Sequence, residues 1–124
     1  MTRALILSWE YPPLIEGGLA RHVRKLSEGL VDRGVEVHVL TRGGEESPAE
    51  EIAGGVRVHR VIEPKRPTDL GEFVAWVERM NSDMLAAGVD LGDSYEFDLV
   101  HGHDWLVAMA CDPLARRFDC PLVT

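Results

Sequence analysis

Two short stretches carry residue types and spacings suited to chemistry. The first is Ile15-Glu16-Gly17-Gly18-Leu19. Its paired glycines tolerate backbone angles closed to other residues and let a ligand come close to the main chain. They stand where a loop turns into a helix, whose first N–H groups lack internal partners and carry the positive end of the helix dipole. Such a junction seats a phosphate, a carboxylate or a sugar hydroxyl; it serves equally well as a turn that packs the helix on a sheet. The second stretch is His101-Gly102-His103-Asp104-Trp105. A histidine at a strand end can donate a hydrogen bond to a sugar hydroxyl and take a proton near neutrality. His103, at the mouth of its strand, is the candidate functional histidine. His101, inside the strand, reads as a buried histidine satisfied by backbone. Asp104 either orients a histidine or caps the next helix, and Trp9 either stacks on a ligand or roofs the core. His22, beside an apolar helical stripe, reads as core packing.

These residues need a frame that brings them together. Arg3 to Ser8 reads as a strand buried on both faces, as in a parallel sheet. Trp9-Glu10-Tyr11-Pro12-Pro13 is a stiffened loop. Leu19, Val23, Leu26 and Leu30 stripe a helix from about Gly18 to Arg33, ended by Gly34 as a C-cap glycine. A strand follows from Val35 to Thr41, parallel through a right-handed crossover, then a polar loop from Arg42 to Pro48. Val56 to Ile62 alternates, which places it towards a sheet edge. Pro64-Lys65-Arg66-Pro67 breaks the chain. Thr68 or Asp69 caps a helix striped by Leu70, Phe73, Val77, Met80 and Met84 and closed by Gly88. Residues 89–96 read as a solvated acidic loop, and Phe97 to His101 as a buried strand. After Asp104 comes a helix expected to break near Asp112-Pro113 and restart through Arg117. Residues 121–124 open one more strand.

Strands alternating with helices give an α/β, Rossmann-like, mostly parallel sheet with helices on both faces. Ligands of such sheets collect outside the carboxyl ends of the strands. Both chemically suggestive loops leave that same edge. With 124 residues and a net charge of −8, the chain suits one domain, and its acidic balance argues against a nucleic-acid groove. No segment approaches a membrane span of ~20 apolar residues, and the start reads as a strand, not a signal peptide. Cys111 and Cys120 lack metal-ligand spacing and read as free thiols of a cytoplasmic protein. No third ligand accompanies the histidines, so no metal is expected. Neither a dinucleotide fingerprint nor a Walker loop is present. Because the sequence stops inside a core strand, a fragment of a larger protein is expected.

Taken in order, Trp9-Glu10-Tyr11-Pro12-Pro13, Gly17-Gly18-Leu19 with His22-Val23, and Asp98 through His101-Gly102-His103-Asp104-Trp105 resemble the amino-terminal domain of retaining GT-B glycosyltransferases. Glycogen and starch synthases are the nearest in pattern. The resemblance covers essentially the whole chain. It implies two Rossmann-like domains facing a cleft: an amino-terminal, acceptor-side domain (residues 1–124 here) and a carboxy-terminal domain, absent from this chain, that holds most of the sugar-nucleotide donor. It implies donor diphosphate near Gly17 and Gly18, the transferred sugar beside a catalytic His103, and further substrate contacts from His101, Asp104 and Trp9. A sugar nucleotide and a carbohydrate acceptor are the implied partners, with no cofactor and no metal. One departure stands out: bacterial glycogen synthases place a lysine two residues before the first glycine, and Ile15 stands there. That points to a broader relative with a different donor or acceptor. The competing reading is a non-catalytic Rossmann-like module that binds an anionic ligand.

Overall fold

The all-apolar run expected at the start forms β1 (Arg3–Ser8), one of the inner strands of a six-stranded sheet. The fold comes from a computed structural model that describes residues 1–124. Around β1 the chain lays down α1 (Leu19–Asp32), β2 (Glu36–Gly43), β3 (Glu50–Ala53), β4 (Val56–Ile62), α2 (Leu70–Ser94), β5 (Leu99–His103), a single 3₁₀ turn (Trp105–Val107), α3 (Ala108–Phe118) and β6 (Leu122–Val123). The strand order is β3-β4-β2-β1-β5-β6. Every pairing is parallel except β3 with β4. The mostly parallel α/β sheet read from the sequence is the observed architecture.

Register divides the core into two. On one face Ile6 stands beside Val39, and Val39 beside Val58; α1 covers them with Val23. On the other, Leu5, Leu7, Leu40 and Val100 meet Trp76, Val77, Met80 and Met84 of α2 and Leu114 of α3. Burial on both faces is why Ala4 to Leu7, the middle of β1, are all apolar. Gly34 ends α1 at φ +87°. Its N–H donates to the Val31 carbonyl and that of Val35 to the Leu30 carbonyl, a Schellman closure. Asp69 caps α2 by accepting from the Glu72 N–H at 2.8 Å.

Four expectations are corrected or refined. First, β4 does lie towards an edge, but the edge itself is an unexpected strand: β3 pairs outside β4 through a two-residue turn at Gly54-Gly55, both with positive φ. Such a turn joins antiparallel strands tightly. Second, α2 does not close at Gly88 but runs to Ser94, so residues 89–94 are helix and not loop. Gly88 is a contact residue, since a Cβ there would lie 2.7 Å from a Leu114 methyl. One turn on, a Cβ at Gly92 would lie 2.4 Å from the Phe118 ring. The glycines form a groove in which α3 lies. Third, α3 is unbroken across Asp112-Pro113. Pro113 and Met109, whose carbonyl loses its helical donor, both face solvent, where water can serve that carbonyl. Fourth, the strand placed at Phe97 to His101 is shifted, running from Leu99 through His103.

Candidate functional site

The loop after β1 is clamped at several points before it reaches the glycines. The Ser8 hydroxyl donates to the Glu10 carbonyl at 2.6 Å. Arg42, at the carboxyl end of β2, is fully buried. Its Nε donates to the Trp9 carbonyl at 2.8 Å, one terminal nitrogen to Glu16 at 2.5 Å, and the other to Glu63. Its guanidinium lies 5.0 Å from the Trp9 ring and 5.7 Å from that of Trp76. Glu16 is shared with Arg66. Burial opposes the Glu16 charge, but the hydrogen bonds from Arg42 and Arg66 outweigh it and hold its carboxyl below the usual carboxylate range. Arg60 donates to the Pro12 carbonyl at 2.9 Å and to the Pro48 carbonyl at 3.0 Å.

So fixed, the loop lines a cavity of about 390 Å³ with Trp9, Glu16, Gly17, Gly18, Arg66 and Asp104 among its walls. The two loops picked out in the sequence meet here. Nothing in the protein lies within 4 Å of where a Cβ would project from either glycine. The space beside them is open to a ligand. Trp9 is a roof more than a platform: it is buried, edge-on to Trp76 with ring centroids 5.3 Å apart. A larger cavity of about 590 Å³ lies towards the carboxyl end of α2, beside His59 and Tyr95, and contains neither loop.

The histidines occupy the α1 face of the sheet and do not line this cavity. β5 continues through His103, so His101 and His103 point the same way, with ring centroids 4.2 Å apart. Both are partly buried, and neither is held by a hydrogen bond to backbone, as had been expected of His101. Nε2 of His103 is buried and has no partner in the protein. His22 is exposed, not in the core, and meets the His103 ring at 5.9 Å. It sits on the polar side of α1, one turn in, where the start of the helix passes the end of β5. Burial, then His101 and His22, pushes His103 down to about 4. The ring is therefore neutral at neutral pH and suits hydrogen bonding, not the proton uptake near neutrality anticipated from its residue type.

Asp104 caps the 3₁₀ turn by accepting from the Leu106 N–H at 3.2 Å, as its residue type foretold. Its backbone sits at φ 80°, ψ 149°. That region is nearly reserved for glycine and stores strain of roughly 1–3 kcal/mol. Strain at a cavity wall marks a loop whose path is set by something other than its own preference. Among the described residues no group of His, Cys, Asp or Glu has the arrangement to hold a metal ion.

Sequence reasoning missed Arg42, Glu16, Glu10 and Arg66. A signal was present: Arg42 closely follows Val37, Val39 and Leu40, and a charge set in a buried strand must find partners. The partners lie in loops 26 and 21 residues away, which spacing alone does not reveal.

Residues 17–124 match the family described as Glycosyl transferase 4-like domain. The chain is 39% identical over 134 aligned residues to a glycogen synthase of Mycobacterium tuberculosis, covering 98% of this chain and 32% of that protein. It is 34% identical over 111 residues to a D-inositol 3-phosphate glycosyltransferase of Thermobifida fusca, covering 86% of this chain and 25% of that one. Among solved structures, a sucrose-phosphate synthase from Thermosynechococcus elongatus superposes with a TM-score of 0.78 at 21% identity, covering 98% of this chain and 32% of that one. This last likeness speaks for the fold. The chain spans about a third of the length of the glycogen synthase it matches. No helix is long and apolar enough to cross a membrane.

Proposed function

The chain belongs to the glycosyl transferase 4-like family, and on that footing we propose that it is the acceptor-side half of a sugar-nucleotide-dependent glycosyltransferase. The observation that carries the reading is the meeting of the two loops. Gly17-Gly18 follows β1 and Asp104 follows β5, and both line one cavity at the carboxyl edge of a parallel sheet. In this reading the diphosphate of the donor lies against the Gly18 and Leu19 N–H groups, which have no acceptor within the chain. A neutral, partly buried His103 stands beside the transferred sugar, with Asp104 and His101 next to it. A hydrogen-bond donor aimed at charge that develops during transfer lowers the barrier more than it strengthens ground-state binding.

The remaining donor contacts come from a second Rossmann-like domain. The transfer retains the sugar's anomeric configuration and uses no metal or cofactor, and the protein works in the cytoplasm. Glucosyl transfer to a glucan is the first activity to test, given the 39% identity to a glycogen synthase. Ile15, where a lysine is expected from the resemblance, leaves Arg66 as the cation lining the cavity. The donor panel should therefore be broad.

The test is release of nucleoside diphosphate by the complete protein from ADP-, UDP- and GDP-sugars, with oligoglucan and inositol phosphate acceptors. Acceptor-dependent release at a rate on the order of 1–10³ per second supports the reading. Binding of nucleoside diphosphate without transfer to any acceptor would favour the non-catalytic anion-binding module. Residues 1–124 alone are expected to transfer no sugar.

A further inference from the structure

The amino end of α1 already holds an anion. The Glu10 side chain, buried between β1 and α1, places Oε1 at 3.1 Å from the Gly17 nitrogen and 3.0 Å from the Ala20 nitrogen. One carboxylate oxygen thus accepts from the loop and from the first turn of the helix together. This is the position that a bound phosphate takes at a helix amino terminus, with N–H groups converging under the positive end of the dipole. Gly18 itself makes no side-chain cap. Residue 10 does the capping from across the loop, seven residues before Gly17 and ten before Ala20.

We propose that Glu10 is a positioning residue for the donor: its carboxylate presets the Gly17-Gly18 turn and confines an incoming diphosphate to the neighbouring Gly18 and Leu19 N–H groups. The proposal rests on the reading of this loop as the donor's seat. Glycine pairs are costly to order because they are free to adopt many backbone angles. Nothing packs against the Cβ side of either glycine, so side-chain contacts do not hold them. The hydrogen bonds to Glu10 are the ones that tie Gly17 and the first turn of α1 to the strand side of the loop. Arg42 and Arg60 hold the same loop at Trp9 and Pro12, upstream of the glycines, and Arg42 and Arg66 hold the Glu16 side chain beside them. Glu10 also contributes to the cavity wall, and because its oxygen already occupies the Gly17 and Ala20 N–H groups, an incoming anion finds the Gly18 and Leu19 N–H groups free.

The experiment uses the complete protein with three variants, E10Q, E10D and E10A. A glutamine retains a carbonyl oxygen at the same reach, an aspartate is one methylene short, and an alanine has no acceptor. Two readouts are independent of each other. The first is hydrogen exchange of the Gly17–Ala20 segment, which needs no substrate. E10A and E10D should lose protection there by about tenfold or more, while E10Q stays close to wild type. The second is steady-state kinetics against the donor. The donor KM should rise in E10A and E10D by about tenfold, with a smaller change in kcat, and E10Q should restore it. Wild-type protection and donor KM in E10A and E10D would overturn the proposal, as would an E10Q that behaves like E10A. Should E10A fail to fold, the E10Q and E10D pair decides the matter by the same criteria. If the wild-type protein neither binds nucleoside diphosphate nor transfers sugar, the functional reading fails. The exchange readout still decides whether Glu10 holds the loop.

Discussion

Replacing Arg42 by methionine removes the guanidinium and keeps most of the apolar stem. Three hydrogen bonds are lost at once, to the Trp9 carbonyl, Glu16 and Glu63, together with the contacts over Trp9 and Trp76. Removing one partner of a buried ion pair typically costs ~3–5 kcal/mol, because the other charge is left buried and unpaired. The Glu16 and Glu63 side chains are 36% and 23% exposed, and Glu16 retains Arg66. Water and Arg66 take up part of the loss. A net cost of about 2–3 kcal/mol follows. With ~2.1 cal/mol/K of unfolding entropy per residue over 124 residues, the melting temperature should fall by about 8–12 °C. Thermal unfolding followed by circular dichroism measures it, with Arg42→Lys as the charge-preserving control. Lysine cannot reach three acceptors as the planar fork does, so its loss should fall between the two. A fall of less than ~2 °C for Arg42→Met would refute the claim that this side chain clamps the loop.

Three further outcomes are expected. Gly88→Val should destabilise by about 1–3 kcal/mol, since the new side chain collides with the buried Leu114 methyls; chemical denaturation reads it. Asp104→Gly should be more stable than Asp104→Ala by about 1–2 kcal/mol, because both lose the cap but only glycine relaxes at φ 80°. The third concerns pH. The His103 pKa falls to about 4 from 6.5 on folding, so the unfolded chain binds the extra proton between those values. The contribution is complete above pH ~6.5 and is lost as pH falls towards ~4, by at most ~3 kcal/mol and by less because the ring is only partly buried. His103→Phe should flatten the stability profile over that window.

How much of this was legible in the sequence depended on how local the cause was. β1, α1 and the Gly34 cap follow from short-range patterns, and all three stand where the pattern put them. The Gly17-Gly18 and His103-Asp104 loops could be placed at one edge because parallel strands leave no other choice. Gly88 misled for a physical reason: a helix-closing glycine and a helix-packing glycine look alike until the partner, Leu114, is seen 26 residues later. Pro113 misled because its cost depends on whether the carbonyl at Met109 reaches water, which is a property of the folded surface. His22 looked like core because it adjoins an apolar stripe; one helical step turns it outward to His103. The partners of Glu10 and Arg42 could not be read, because they come from other elements.

The most direct measurement of the central claim is the turnover of the complete protein with His103 replaced by alanine, alongside its melting curve. If His103 meets the transferred sugar at the mouth of β5, kcat should fall by ~10²-fold or more while the melting temperature stays within a few degrees of wild type. Wild-type turnover in the variant, or a loss that tracks unfolding alone, would make His103 a structural residue and contradict the account.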